Sequence, residues 1–144
     1  MKQHVPVLLE EVLKELRCDR PGLYIDCTVG AGGHTSEILA SSPDNRVIGI
    51  DWDNKAIETA RENLKGFGDR VTFIREDYSS IGSILDDMNI SEADGFLFDL
   101  GLSSMQIDSP ERGFSFRQDS PLDMRMDMRK ETTAAELVNN LDAG

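Results

Sequence analysis

The chain has 144 residues, 39% hydrophobic and 29% charged, the composition of a soluble globular domain and not of a disordered or fibrous one. No apolar run approaches the roughly 18 residues of a membrane span, residues 1–10 lack a signal-peptide layout, and Cys18 with Cys27 makes neither a disulfide framework nor a zinc site; a cytoplasmic protein without membrane or metal is expected. Twenty-seven acidic against fifteen basic residues give a formal charge of −12, which argues against a DNA partner and a stand-alone nucleic-acid binder, since phosphate contacts need clustered Lys and Arg.

Leu8, Leu9, Val12, Leu13 and Leu16 recur at helical spacing and predict an amphipathic helix over 5–17, stopped by Pro21-Gly22. Residues 23–29 (LYIDCTV) read as a buried strand that runs into the glycine cluster Gly30-Ala31-Gly32-Gly33, and a helix follows from His34 to the Ser41-Ser42-Pro43 stop. The unit repeats: a strand over 46–51 ending in Asp51, a helix capped near Asp53-Asn54, and a strand over 71–75 ending near Asp77-Tyr78. A third helix carrying Ile81, Ile84, Leu85 and Met88 and a fourth strand over 95–99 complete the alternation. Strands alternating with helices imply a doubly wound α/β fold with a mostly parallel sheet and right-handed crossovers. Residues 100–130 follow neither period and read as a long ordered loop or lid, and Thr132 to Leu141 resumes a weak helix. An α/β domain over 1–100 is thus expected, with a separate segment over 101–144.

The chemistry concentrates at the strand ends. A glycine turn between the first strand and its helix lets backbone approach a ligand, and a helix N-terminus favours an anion. Dinucleotide-binding sheets use G-x-G-x-x-G, whereas the spacing here is G-x-G-G; this tighter turn suits a single carboxylate, such as the methionine end of S-adenosylmethionine. A purely structural turn is the competing reading. Asp51, about 20 residues on, stands where an acid accepts both ribose hydroxyls. Asp77 is placed to hold an adenine amino group, with Tyr78 packing on the base. Asp99 ends the fourth strand beside the point where strand order reverses. Amino-group methyltransferases often follow an acid or amide here with two prolines, and this chain has the acid without the prolines. In the loop, Phe114 and Phe116 can stack a splayed base with Arg112, Arg117 and Arg125 near phosphate. Equally, the phenylalanines can pin the loop while Asp108, Glu111, Asp119, Asp123 and Asp127 pair with the arginines.

Five motifs in order, HVPVLL from His4, DCTVGAGGH from Asp26, DLGLSSMQ from Asp99, ERGFSF from Glu111 and PLDMRM from Pro121, closely resemble the ribosomal RNA small subunit methyltransferase H (MraW-like) family. The resemblance implies the Rossmann-like fold of class I S-adenosylmethionine-dependent methyltransferases and methylation of the N4 amino group of a cytidine in 16S rRNA of the small ribosomal subunit. It places Gly32, Gly33 and His34 at the methionine end of the cofactor, Asp51 at the ribose and Tyr78 at the adenine, with Asp99 and Gln106 completing the pocket. Met105 and Ser120 depart from the family's usual proline and glycine. Family members are about twice as long, with an inserted helical domain that begins about where this chain ends.

The reaction so implied is in-line attack of the cytidine amine on a sulfonium methyl. Asp99 is the expected polar acceptor, assisted by Ser103 or Ser104, because a ring-conjugated amine must be oriented and relieved of a proton. The competing functions are a non-catalytic S-adenosylmethionine-binding half-enzyme and an NAD-dependent dehydrogenase, the latter disfavoured by the glycine spacing. With nothing beyond it, the fourth strand is expected to present an apolar edge that favours self-association.

Overall fold

A computed structural model describes residues 6–141, and of residues 104 and 105 the backbone alone. His4 of the first motif and the side chain of Ser104 therefore lie outside the described residues. The elements are α1 (Leu9–Glu15), β1 (Leu23–Asp26), α2 (Gly33–Ser41), β2 (Arg46–Ile50), α3 (Asn54–Asn63), β3 (Val71–Ile74), α4 (Ile81–Asp87), β4 (Gly95–Leu97), α5 (Ser104–Ile107) and α6 (Ala134–Asn140). Turns of 3₁₀ helix lie at Lys65–Arg70, Tyr78–Ser80 and Pro110–Arg112. The chain divides into two compact units, Met1–Asp99 and Leu100–Gly144.

In the first unit the four strands form a parallel sheet in the order β3-β2-β1-β4. Tyr24 stands opposite Val47 and Gly95, and Ile25 opposite Ile48 and Phe96. The period of two then sorts the side chains. Tyr24 and Val47 pack with Cys18, Ile38 and Leu39 on one face, while Ile25 and Ile48 pack with Cys27, Ile50 and Ile84 of α4 on the other. Ile57, Ala60 and Leu64 close a third cluster around Val29. Each fully buried side chain of this size contributes roughly 1.5–3 kcal/mol. The chain winds outward from β1 to β3 and then returns through α4 to β4, so the order reverses between β1 and β4, where open α/β sheets bind ligands at the carboxyl ends of their strands.

Several elements are shorter than the sequence pattern predicts, β4 ending at Leu97 where the pattern runs to Asp99, and two are cut short for evident local reasons. The helix expected over 5–17 is confined to α1 because Leu8 and Arg17 adopt left-handed backbone (φ 51° and 56°). Behind Arg17 the closing bonds Arg17 N–H to Lys14 O (3.1 Å) and Cys18 N–H to Leu13 O (3.0 Å) form a Schellman stop. The strand expected over 23–29 leaves the sheet early: Cys27 N–H still donates to Leu97 O at 2.9 Å, and then the Asp26 carboxylate takes the Thr28 N–H at 3.2 Å, drawing the backbone into a turn. β4 pairs with β1 alone among the described residues, and Phe96 is exposed on it.

The second unit corrects the expectation of a segment without regular structure over 100–130, since it contains α5 and the turn Pro110–Arg112. The predicted final helix forms as α6, where the Thr133 hydroxyl and the Glu136 carboxylate close a reciprocal capping box. Among the described residues no helix is long and apolar enough to cross a membrane, and no group of His, Cys, Asp and Glu is arranged to hold a metal ion.

Candidate functional site

The carboxyl ends of the strands collect the polar groups of the first unit. Asp26, the last residue of β1, is fully buried and accepts from the Thr35 hydroxyl at 2.6 Å and from Thr28 N–H at 3.2 Å. Burial pushes its carboxyl up to about 6, against those two hydrogen bonds and the nearby His34, which favour the charged form. Thr28 is the next link, for its Oγ1 accepts the Asp99 N–H at 2.7 Å, tying the glycine turn to the chain leaving β4.

The turn itself needs glycine at two places. Gly30 and Gly32 have positive φ (52° and 87°), and a Cβ on Gly32 would lie 2.7 Å from Leu64 Cδ1, whereas one on Gly30 would extend into open space with Thr28 O 3.8 Å away. Gly30 N–H donates to Asp51 Oδ2 at 3.0 Å and Asp53 N–H to Asp51 Oδ1 at 2.9 Å. The acid expected to wait for ribose hydroxyls thus also organises the protein's own turn. Burial raises the Asp51 carboxyl, opposed by the N–H groups of Asp53, Gly30 and Trp52. Gly33 opens α2, and His34 is buried in its first turn, with Nε2 2.9 Å from the Val7 carbonyl and Nδ1 3.8 Å from Asp99 Oδ2. The Asp99 carboxylate is half exposed.

Asp77 caps the turn Tyr78–Ser80, its Oδ1 accepting the Ser79 N–H at 2.9 Å; this is a local structural task that the sequence reading does not assign to it. Tyr78 joins an aromatic cluster. It meets Phe98 edge-on at 5.7 Å between centroids and Trp52 at 6.3 Å with a 45° tilt.

In the second unit, several nominated residues hold the unit together. Ser103 Oγ accepts the Gln106 N–H at 3.2 Å while Gln106 Oε1 accepts the Ser103 N–H at 3.1 Å, a capping box at the start of α5. Arg112 is buried, and its Nη2 donates to the carbonyls of Arg125 and Met126, both at 3.0 Å. Its guanidinium also lies 5.8 Å over the Phe114 ring. Arg112, one of the arginines expected near phosphate, thus holds two backbone carbonyls of its own unit, with Phe114 under its guanidinium. Arg125 pairs with Asp123 at 2.7 Å and Arg129 with Asp127 at 2.7 Å, so the acids do neutralise arginines here. Phe116 is fully exposed and Arg117 is exposed beside it.

Comparison with known proteins decides the family, because the MraW methylase family model matches residues 1–144. The chain belongs to the MraW methylase family. It is 51% identical over 137 residues to the ribosomal RNA small subunit methyltransferase H of Symbiobacterium thermophilum, covering 94% of this chain and 43% of that protein. Against the protein of the same name from Halothermothrix orenii the identity is 50% over 141 residues, covering 97% and 45%. The chain spans less than half the length of these curated relatives. Among solved structures, the "putative rRNA-methylase" from Clostridium thermocellum superposes with a TM-score of 0.56 at 24% identity, covering 71% of this chain and 56% of that one. An rRNA methylase from Streptococcus thermophilus gives 0.50 at 22% identity, covering 70% and 57%. These likenesses establish the fold, the α/β sheet with helices on both faces.

Four residues of the candidate site are absent from the roles assigned by sequence: Thr28, Thr35, Trp52 and Phe98. Trp52 follows the nominated acid Asp51 and Phe98 precedes Asp99, so adjacency to a strand-end acid is the signal that finds them. Thr28 and Thr35 give no such signal, since a threonine's partner is visible only in three dimensions.

Proposed function

We propose that this chain is the S-adenosylmethionine-binding part of a methyltransferase that modifies the N4 amino group of a cytidine in 16S rRNA of the small ribosomal subunit, in the cytoplasm. The observation that carries the reading is the bond between Gly30 N–H and Asp51 Oδ2 (3.0 Å), which joins the glycine turn after β1, suited to an anion, to the acid after β2, suited to hydroxyls, at the carboxyl edge of the sheet. The residues fit the cofactor. The space above Gly30 is open, and the first-turn N–H groups of α2, including those of Gly33 and His34, suit its carboxylate. The lone pairs of Asp51 not taken by Gly30 and Asp53 accept ribose hydroxyls, and the cluster of Trp52, Tyr78 and Phe98 offers aromatic faces and edges to the base. When bound, S-adenosylmethionine supplies an electrophilic methyl group on a sulfonium.

Asp99 is the acceptor nearest the reacting end. Its backbone is fixed by Thr28 while its carboxylate stays half exposed, so it can orient an incoming amine and take its proton. Phe116 and Arg117 are the residues of the second unit presented to RNA. The identity of the curated relatives supports rRNA as substrate. The test is tritium transfer from S-adenosylmethionine to small-subunit particles by the full-length protein, followed by mass spectrometry of digested nucleosides. N4-methylcytidine in 16S rRNA is the expected product, and label in another nucleoside overturns the assignment.

A further inference from the structure

His34 contributes more than a backbone N–H to this site. Its Nε2 is 2.9 Å from the Val7 carbonyl, and a carbonyl only accepts, so Nε2 carries the hydrogen. When the ring carries a single hydrogen, that hydrogen is thus on Nε2 and Nδ1 is bare. That bare nitrogen lies 3.8 Å from Asp99 Oδ2, beyond hydrogen-bond distance but within that of an ion pair once the ring takes up a second proton. The ring is buried, while the carboxylate is half exposed. Among the described residues the other charged group set against the ring is Asp26 at the end of β1, which feels Asp51 in turn; the Val7 carbonyl is neutral.

We propose that His34 and Asp99 form a proton-storing pair, in which the tautomer imposed by the Val7 carbonyl keeps His34 Nδ1 ready to share the proton that Asp99 removes from the amine being methylated. The inference rests on the methyltransferase reading. As the nitrogen–methyl bond forms and the sulfur–methyl bond breaks with its electron pair returning to sulfur, the amine nitrogen becomes cationic. One N–H proton then passes to an Asp99 carboxylate oxygen and is shared with Nδ1, giving an imidazolium–carboxylate pair that balances the charge. The exposed side of Asp99 returns the proton to solvent before the next turnover. His34 acts through Asp99 and is a positioning residue. Asp99 is the group that meets the amine.

The experiment uses full-length protein, wild type and His34→Gln, whose amide still donates to the Val7 carbonyl but holds no proton at the Nδ1 position. Ring nitrogen shifts of ¹⁵N-histidine-labelled protein, assigned by their loss in the variant, are expected to report the Nε2–H tautomer; an Nδ1–H ring overturns the proposal. With tritiated S-adenosylmethionine and small-subunit particles, His34→Gln is expected to lower kcat by roughly tenfold or more, part of what a positioned base supplies. Calorimetric cofactor affinity should fall by less than kcat does. Unchanged kcat, or parallel losses of kcat and affinity, overturns the proton role. If His34→Gln does not fold, Asp99→Asn serves: its His34 ring signals must shift, and unshifted signals overturn the pairing. Wild-type protein that binds cofactor and methylates nothing overturns the functional reading, and the proton route with it, while the ¹⁵N tautomer separates that failure from an error in the geometry.

Discussion

The Thr28 hydroxyl accepts the Asp99 N–H at 2.7 Å, so the end of the fourth strand is anchored to the turn that follows the first. Removing that acceptor leaves a strand-end N–H to find water or strain. Thr28→Val is expected to destabilise the fold by about 1 kcal/mol and Thr28→Ser to restore most of the loss, as read by urea denaturation. Equal stability of the valine and serine variants would show that the bond is not what holds Asp99.

Asp26 makes the fold's stability depend on pH. Its carboxyl is raised from 3.8 to about 6 in the folded chain, so between these values the folded state holds a proton that the unfolded state has lost. The contribution of Asp26 to folding is therefore most favourable below about pH 4, weakens as pH rises towards 6, and is constant above. A rise of about two units corresponds to roughly 3 kcal/mol. Asp26→Asn should flatten this slope between pH 4 and 6 while the wild type keeps it. Burial also raises Asp51, so the quantity to compare is the difference between the two proteins' slopes.

The two strained glycines should separate stability from binding. Gly32 packs against buried Leu64, and a Cβ there would approach Cδ1 to 2.7 Å at φ 87°. Gly32→Ala is expected to destabilise by about 2–4 kcal/mol, from backbone strain plus overpacking. Gly30→Ala, at φ 52° over open space, should destabilise by only about 1–2 kcal/mol yet weaken S-adenosylmethionine binding by obstructing the turn. Thermal melting and calorimetric titration distinguish the two, and a Gly30→Ala protein with unaltered affinity would place the ligand elsewhere.

Asp51→Ala should reduce cofactor affinity by roughly 10- to 100-fold, the loss of hydrogen bonds to a charged acceptor. Because Asp51 also accepts from Gly30 and Asp53 N–H, part of that loss comes from a loosened turn. Asp51→Asn keeps one acceptor and should fall between. Calorimetry on both variants checks the order.

The strand–helix alternation was legible because it is a property of period: Tyr24 and Ile25 announce a strand buried on both faces, and the structure places them in opposite clusters. The strand-end acids were legible for the same reason, since position after a hydrophobic run locates Asp51 and Asp99 without any knowledge of contacts. What pattern does not encode is how a polar side chain spends its hydrogen bonds. Ser103 and Gln106 read as chemistry and serve as a helix cap. His34 reads as the start of a helix at the cofactor's methionine end, and its ring is gripped by Val7, twenty-seven positions earlier.

The second unit's aromatic pair is predicted to split. Phe114 lies under the buried Arg112 guanidinium, 5.8 Å from it, while Phe116 is fully exposed and covers no core. Phe116→Ala should therefore leave melting unchanged and lower rRNA methylation per folded full-length molecule, since a base stacked on an aromatic gains about 1–3 kcal/mol. Phe114→Ala should do the reverse in part, because Arg112 also fixes the Arg125 and Met126 carbonyls, and loosening its packing propagates to the segment that Asp123 and Arg125 pin. Arg112→Ala removes those two hydrogen bonds together and should destabilise more than either phenylalanine variant, by about 2–3 kcal/mol. Methylation rates normalised to folded protein, set beside melting temperatures of the three variants, check the division. If Phe116→Ala lowers the melting temperature without altering the normalised rate, the exposed ring has a packing role and Phe116 is not the RNA-facing residue.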